Sequence, residues 1–187
     1  MHLKNFIWKE ENKRLEELIK MAKNGDEEAF TEIIITMERD LYKIAKLRLS
    51  SEDDINEVVQ ETIVETFKSI KKLRKIEYFK TWIIKILINK SNKLYTKKKR
   101  NESFTEYDEE NIKSQEATNS LDEIINKLDF EILIQKLNYE ERTALTLFYL
   151  EDLTTKEISQ ILKKPESTVR NQISRARQKL KKILGGI

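Results

Sequence analysis

A stretch near the C-terminus carries side chains of the types that read nucleic-acid bases. In the major groove, an Arg guanidinium pairs with guanine and an Asn or Gln amide pairs with adenine. Residues 165–182 place such groups on one side of a helical pattern: Ser167, Asn171, Ser174, Arg175 and Gln178, flanked by Arg170 and Arg177. The other side is apolar, with Val169, Ile173, Ala176 and Leu180 at spacings of four, three and four. The pattern therefore predicts an amphipathic helix that presents base-reading groups.

The residues in front of this helix predict how it is positioned. Thr154 and Glu157 stand three apart, which is the spacing of a capping box at the start of a helix. The short helix that follows ends at Lys163, and Pro165 suits the first position of the next helix. A short helix, a tight turn and a basic amphipathic helix together are typical of a DNA-binding helix-turn-helix.

The remaining chain is predicted to be all-α. Only three Gly and one Pro occur in 187 residues, whereas strand-rich folds use many turn residues. Apolar spacing predicts further helices over 10–23, 27–49, 52–70 and 78–99. Residues 101–120 are polar and without periodicity, as in a flexible linker. We expect two small helical domains, 1–100 and 125–187, joined by a flexible acidic linker, 101–124.

Charge is segregated along the chain although the net charge is only +3. Residues 68–100 carry thirteen Lys or Arg and one acid, and residues 163–187 carry eight and one. Between these two blocks, residues 101–129 carry nine acids and two Lys. Two basic blocks, each joined to a specific pattern, favour a nucleic-acid partner.

Several classes of function are disfavoured by the residues available. The chain has no cysteine, and His2 is its single histidine. The acids at 52–65 lie along one predicted helix without a histidine or a second acidic segment that converges on them, so we expect no metal site, no cofactor and no catalytic residue. A nuclease is therefore disfavoured. No apolar run approaches the ~20 residues that a membrane helix needs, and the start has no signal-peptide core, so a cytoplasmic location is expected.

Three segments of the C-terminal part resemble the promoter −35-binding domain of sigma factors. These are LNYEER at 137–142, LFYLEDLT at 147–154 and STVRNQISRAR at 167–177. In one respect the chain departs from the family: the turn often holds Gly, and here it holds Lys163. The resemblance implies contacts to the −35 element by Ser167, Thr168, Arg170, Asn171, Ser174, Arg175, Arg177 and Gln178.

A second resemblance lies on the predicted helix 52–70. Its segment EVVQET, residues 57–62, is similar to the sigma-factor motif that binds the clamp helices of the largest subunits of core RNA polymerase. The resemblance implies that core polymerase is bound by Asp54, Glu57, Gln60, Glu61 and Val64. Periodicity alone favours a different interpretation, an ordinary solvated helix face.

The next predicted helix resembles the family's −10 recognition and strand-opening segment. Its residues 79–89 read FKTWIIKILIN. We expect Trp82 to pack in the core and Tyr78 and Phe79 to be the candidates for base stacking. Lys93 and Thr96 depart from the family, which often has Asp and Arg there. The resemblance implies −10 contacts by Tyr78, Phe79, Lys80, Thr81, Trp82, Lys85, Asn89 and Lys93.

Together the resemblances cover residues 10–100 and 125–184 and match the small, extracytoplasmic-function (ECF) subfamily of sigma-70 factors. They imply a protein that binds core RNA polymerase and directs promoter recognition, DNA opening and transcription initiation. An anti-sigma factor is a further candidate partner, and membrane insertion is not expected. Two alternatives stay open: a helix-turn-helix regulator that is not a polymerase subunit, and a helical scaffold without DNA affinity.

Overall fold

The computed structural model describes residues 2–49, 51–101 and 133–184, and within these ranges it is helical, without a strand. The α-helices found there are α1 (His2–Lys23), α2 (Glu27–Lys46), α3 (Glu52–Ser69), α4 (Phe79–Asn101), α5 (Tyr139–Tyr149), α6 (Thr155–Leu162) and α7 (Glu166–Leu184). The all-α prediction is confirmed. Beyond Asn101, the predicted acidic linker lies outside the described residues.

Helices α1 to α4 form an N-terminal bundle in which each helix packs against the next. The chain reverses between α1 and α2 because Gly25 has a φ of 101° and Asp26 caps α2, accepting a hydrogen bond from the Ala29 amide at 2.9 Å. Leu41 and Ile83 are among the fully buried core residues. Two short 3₁₀ turns, Ile70–Lys72 and Ile76–Tyr78, carry the chain from α3 to α4.

Helices α5 to α7 form the helix-turn-helix unit, in which α5 and α6 both pack against α7. Thr154 and Glu157 form the predicted capping box at the start of α6. Lys163 ends α6 in the left-handed conformation, with φ 55° and ψ 40°. This is the conformation for which glycine is preferred, so the chain keeps the geometry of the turn without the residue that suits it best.

The two helical units pack directly against one another. Helix α6 contacts α4, and the side chain of Lys80 on α4 pairs with Glu151 in front of α6, with Nζ and Oε2 3.1 Å apart. The buried core therefore continues from the N-terminal bundle into the helix-turn-helix unit.

Among the described residues, no helix is both long enough and apolar enough to cross a membrane.

Candidate nucleic-acid interface

Helix α7 presents part of its predicted base-reading face to solvent. Ser167, Arg170, Asn171 and Arg175 are exposed, while Thr168 and Ser174 are half-buried. The guanidinium of Arg170 pairs with the Glu166 carboxylate one turn earlier, at 2.7 Å. Val169 and Ala176 are fully buried on the opposite side, as the apolar spacing predicted.

Arg177 lies elsewhere on the same helix. Its guanidinium carbon is 5.3 Å from the Phe148 ring centroid and 5.2 Å from that of Tyr149, both on α5. Its Nε is buried and has no hydrogen-bond partner. Two residues correspond to about 200° around an α-helix, so Arg175 and Arg177 point to different sides of α7. In this structure Arg177 belongs to the α5–α7 packing, while Gln178 beside it is half-buried.

A polar groove of about 290 Å³ separates the start of α5 from α7. Glu140 on its rim pairs with Lys164 at 2.5 Å and accepts a hydrogen bond from Gln172 at 2.7 Å. The nearly buried carboxylate of Glu141 pairs with Lys179 at 2.9 Å. Glu140 and Glu141 are therefore paired with groups on α7 or just before it. Asn171 and Arg175 also line the groove, and both are exposed to solvent.

Helix α3 has an exposed stripe that we name the docking face, formed by Glu57, Gln60, Glu61, Val64 and Phe67. Val64 and Phe67 are each 49% exposed, and together they place apolar surface on this side of α3. The sequence reasoning did not include Phe67, although its position three residues after Val64 places it on the same side of the helix. The face combines carboxylates with an apolar centre.

Asp54, which the resemblance groups with these residues, has a different environment. It is buried, and its carboxylate pairs with Lys98 of α4 at 2.5 Å. Lys90 of α4 in turn pairs with Glu61 at 3.3 Å and lies 3.9 Å from Glu65. Asp54 thus ties α3 to α4, and Lys90 links α4 to the edge of the docking face.

Helix α4 presents a second stripe, which we name the α4 open stripe, formed by Trp82, Lys85, Asn89 and Lys93. Asn89 and Lys93 are exposed, and Trp82 and Lys85 are half-buried. Spacings of three, four and four keep these side chains on one side of the helix. Tyr78, just before α4, is 51% exposed and adjoins this side.

The remaining residues predicted for the −10 element are placed differently. Phe79 is 1% exposed because it lies on the side of α4 that also carries Ile83 and Leu87, and its ring packs 5.9 Å from that of Trp82. In this structure Phe79 is a core residue, and Tyr78 is the aromatic side chain that solvent reaches. Thr81 is half-buried, and Lys80 is engaged by Glu151.

Comparison with known proteins places this arrangement in a family. Residues 33–101 match the family model "Sigma-70 region 2", and residues 120–180 match "Sigma-70, region 4". The ECF RNA polymerase sigma-E factor of Haemophilus influenzae is 31% identical over 173 residues, which is 86% of this chain and 90% of that protein. The chain belongs to the ECF RNA polymerase sigma factors. The sigma factor SigW of Bacillus subtilis is 28% identical over 89% of this chain and 94% of its own length.

Solved structures have the same fold as this sigma factor. CnrH, solved in complex with the cytosolic domain of CnrY, matches with a TM-score of 0.65 at 20% identity, over 92% of this chain and 98% of that one. The sigma factor RpoE of Bartonella quintana, solved with the anti-sigma factor NepR, also matches with a TM-score of 0.65, at 19% identity over 83% and 96%. The predicted function is therefore confirmed at the level of the family: the chain is a sigma factor that acts in transcription initiation.

Proposed function

We propose that this sigma factor binds core RNA polymerase through the docking face of α3. The exposed Glu57, Gln60 and Glu61 suit a basic helical partner, and Val64 with Phe67 supplies apolar area that binding would bury. The clamp helices of the polymerase are the partner that the family resemblance implies. Asp54 supports this face indirectly, because its pairing with Lys98 holds α3 against α4.

Promoter recognition is divided between the two helical units in this proposal. The α4 open stripe, together with Tyr78, binds the −10 element: Lys85 and Lys93 contact phosphates, and Tyr78 stacks on an unpaired base. Helix α7 enters the major groove at the −35 element, where Arg175 and Asn171 contact base edges and Ser167 and Arg170 position the helix on the DNA. Lys80 joins the −10 contacts once its pairing with Glu151 is released.

We assign residues 1–100 to polymerase and −10 binding, 101–124 to the linker and 125–187 to −35 binding. The protein acts as a non-enzymatic initiation subunit where the polymerase works, in the cytoplasm. An anti-sigma factor is proposed as a further partner, since a relative of the same fold was solved with one.

One observation carries the proposal: the chain has an exposed docking face, on a helix other than the two that offer DNA-reading groups. A helix-turn-helix regulator that acts outside the polymerase needs no such face. The test is to mix the full chain with core RNA polymerase, separate the complex by gel filtration, and assay run-off transcription on genomic fragments.

Variants of α3 make this test specific. Glu61→Lys reverses a charge at the edge of the docking face, where Glu61 pairs with Lys90, and we expect it to weaken polymerase binding at least ten-fold while helix content is unchanged. The matched control is Glu16→Lys on the exposed side of α1. Equal polymerase affinity of the two variants would rule out the docking face, and elution of the wild-type chain apart from the polymerase would favour the regulator.

A further inference from the structure

A single carboxylate connects the start of α5 to two groups beside the DNA-reading side of α7. One oxygen of Glu140, Oε1, lies 2.5 Å from Nζ of Lys164, just before α7. The other oxygen, Oε2, accepts a hydrogen bond from the side-chain amide of Gln172 on α7, at 2.7 Å. The two oxygens therefore hold two different donors, one charged and one neutral. We name these three residues the Glu140 bridge.

The Glu140 bridge borders the surface that is proposed to read the −35 element. Glu140 and Gln172 line the same groove as Thr168 and Arg175. Thr168, Gln172 and Arg175 recur on α7 at spacings of four and three, so they lie on one side of the helix. A helix in the major groove, which is ~12 Å wide, has a phosphate backbone along each flank. Gln172, and Lys164 through its pairing with Glu140, lie on such a flank.

The donors in the Glu140 bridge are of the kinds that bind DNA phosphates. In protein–DNA complexes, Lys and Arg side chains, together with amide and hydroxyl groups, donate to phosphate oxygens. A phosphodiester presents two free oxygens that share one negative charge, and a carboxylate does the same. Glu140 thus binds Lys164 and Gln172 in the manner of a phosphate.

Exposure distinguishes the Glu140 bridge from the neighbouring pair of Glu141 and Lys179. The side chain of Glu140 is 60% exposed and that of Lys164 31%, whereas that of Glu141 is only 4% exposed. Water and salt screen an exposed ion pair, so it exchanges its partners at small cost. Breaking the Lys179 pair would leave a buried carboxylate alone, which is costly. A phosphate can therefore replace Glu140 but not Glu141.

We propose that Glu140 sets the DNA affinity of the helix-turn-helix unit by competing with a DNA phosphate for Lys164 and Gln172. This inference rests on the proposed contact of α7 with the −35 element. When α7 enters the major groove, a phosphate takes the place of the carboxylate, and Glu140 turns to water. The loss of the Glu140 contacts offsets part of the gain from the phosphate, so binding to DNA of any sequence is weakened.

Weaker phosphate contacts have a use in a cell. A genome offers on the order of 10⁶–10⁹ non-specific sites, which compete with a promoter for the protein. Phosphate contacts supply nearly all of non-specific binding, whereas base contacts add to them only at the correct sequence. By weakening one phosphate contact, Glu140 leaves more of the chain free for polymerase and promoters.

Binding to a duplex of random sequence tests this competition and needs no known promoter. Glu140→Gln in the full chain removes the charge and keeps the shape, so Lys164 becomes available to a phosphate. We expect the dissociation constant of a fluorescently labelled duplex, measured by anisotropy, to fall about three- to five-fold, the effect of one exposed ion pair. The plot of log binding constant against log salt concentration should steepen by about 0.9, the value for one further phosphate. Circular dichroism should show unchanged helix content.

Two further variants separate the Glu140 bridge from a general gain of positive charge. Asp152→Asn makes the same change of charge at an exposed turn position that does not line the groove, and asparagine suits its positive φ of 53°. It should leave the affinity and the salt dependence close to those of the wild type. In a Lys164→Gln background, Glu140→Gln should lose most of its effect, because the cation for which it competes is absent. A double-mutant cycle measures this coupling.

The outcomes separate this proposal from the polymerase role. Equal affinities of Glu140→Gln and Asp152→Asn would overturn it, as would an undiminished gain in the Lys164→Gln background. Failure of every variant to bind the duplex at ~50 mM salt, where phosphate contacts are strong, would overturn it too. None of these results bears on the docking face, which is tested by gel filtration without DNA. A chain that binds the duplex as expected but elutes apart from polymerase would keep the Glu140 bridge and refute the polymerase role.

Discussion

At the scale of single residues, arginines of the same chemistry have different roles because their side chains lie in different surroundings. Arg175 is exposed beside the groove between α5 and α7, whereas Arg177 lies over two aromatic rings of α5. Arg48, just after α2, is buried and donates hydrogen bonds to Asn92 of α4 and to the hydroxyls of Tyr139 and Thr143 on α5, so it connects the two helical units. A guanidinium serves all three settings because it is always charged, planar and rich in hydrogen-bond donors.

Replacing Arg175 tests the DNA-reading side of α7. Arg175→Ala should lower transcription from a promoter with an intact −35 element about ten-fold, because one bidentate base contact contributes ~1–3 kcal/mol. The loss should be small on a promoter whose −35 sequence has been scrambled. The matched control is Arg39→Ala, an exposed arginine of α2. Wild-type output from Arg175→Ala would remove this residue from the reading surface.

At the scale of helices and turns, Lys163 has a backbone conformation that does not suit a lysine. It adopts a left-handed φ of 55° between α6 and α7, and the next residue's amide bonds back to Ser159 at 3.1 Å. An L-residue with a side chain is strained there by ~1–2 kcal/mol, whereas glycine is not. The hydrogen bonds of the turn compensate for that strain.

Glycine at this position should therefore stabilise the protein. We expect Lys163→Gly to raise the free energy of unfolding by about 0.5–1 kcal/mol, less than the full relief because glycine also gains freedom in the unfolded chain. Lys13→Gly, in the exposed part of α1, should instead lower it by ~1 kcal/mol. Urea unfolding followed by circular dichroism measures both, and a loss of stability with Lys163→Gly would contradict the strain argument.

Much of the fold was predictable from the sequence because its signals are local. Asp26, and Thr154 with Glu157, mark helix starts through side-chain bonds to residues three positions away, and Gly25 marks the preceding helix end through its positive φ. The buried side of α7, which includes Val169 and Ala176, followed from spacing alone. By contrast, Tyr78 and Phe79 are neighbours in the sequence, and only the packing of α4 decides that the first is exposed and the second buried.

The interdomain contacts were not predictable for the same reason. Arg48 is one of 36 basic residues, and nothing near it in the chain sets it apart. Its hydrogen-bond partners Asn92, Tyr139 and Thr143 are 44 to 95 residues away. A burial that depends on contacts so distant leaves no periodic signal in a single sequence.

At the scale of the whole molecule, Glu151 is the acid that joins the two units. Burial raises the pKa of its carboxyl above 4.5, and the nearby Asp40 adds to the rise, while Lys80 and Lys43 oppose it. The folded protein thus binds this proton more tightly than the unfolded chain does. The stability that results is fully present below pH 4.5 and is lost as the pH rises through the raised pKa.

This linkage can be isolated with Glu151→Gln, which has the same shape and no titration. The difference in melting temperature, wild type minus variant, should increase as the pH falls from neutral to below 4.5, because the wild type alone takes up this proton. Other carboxyls contribute to both proteins and cancel in the difference. A difference that is constant with pH would show that the Glu151 carboxyl is not desolvated in solution.

The acceptors around Arg48 are neutral groups, an amide oxygen and two hydroxyls, and this decides how the contact between the two units responds to ionic strength. Mobile ions screen exposed charges beyond ~8–10 Å at moderate salt, but they barely reach a guanidinium held among hydroxyls, an amide and a ring. Contacts to DNA phosphates weaken steeply with salt, because binding releases condensed counterions. Added salt should therefore detach the protein from DNA while the contacts around Arg48 still hold the two helical units together.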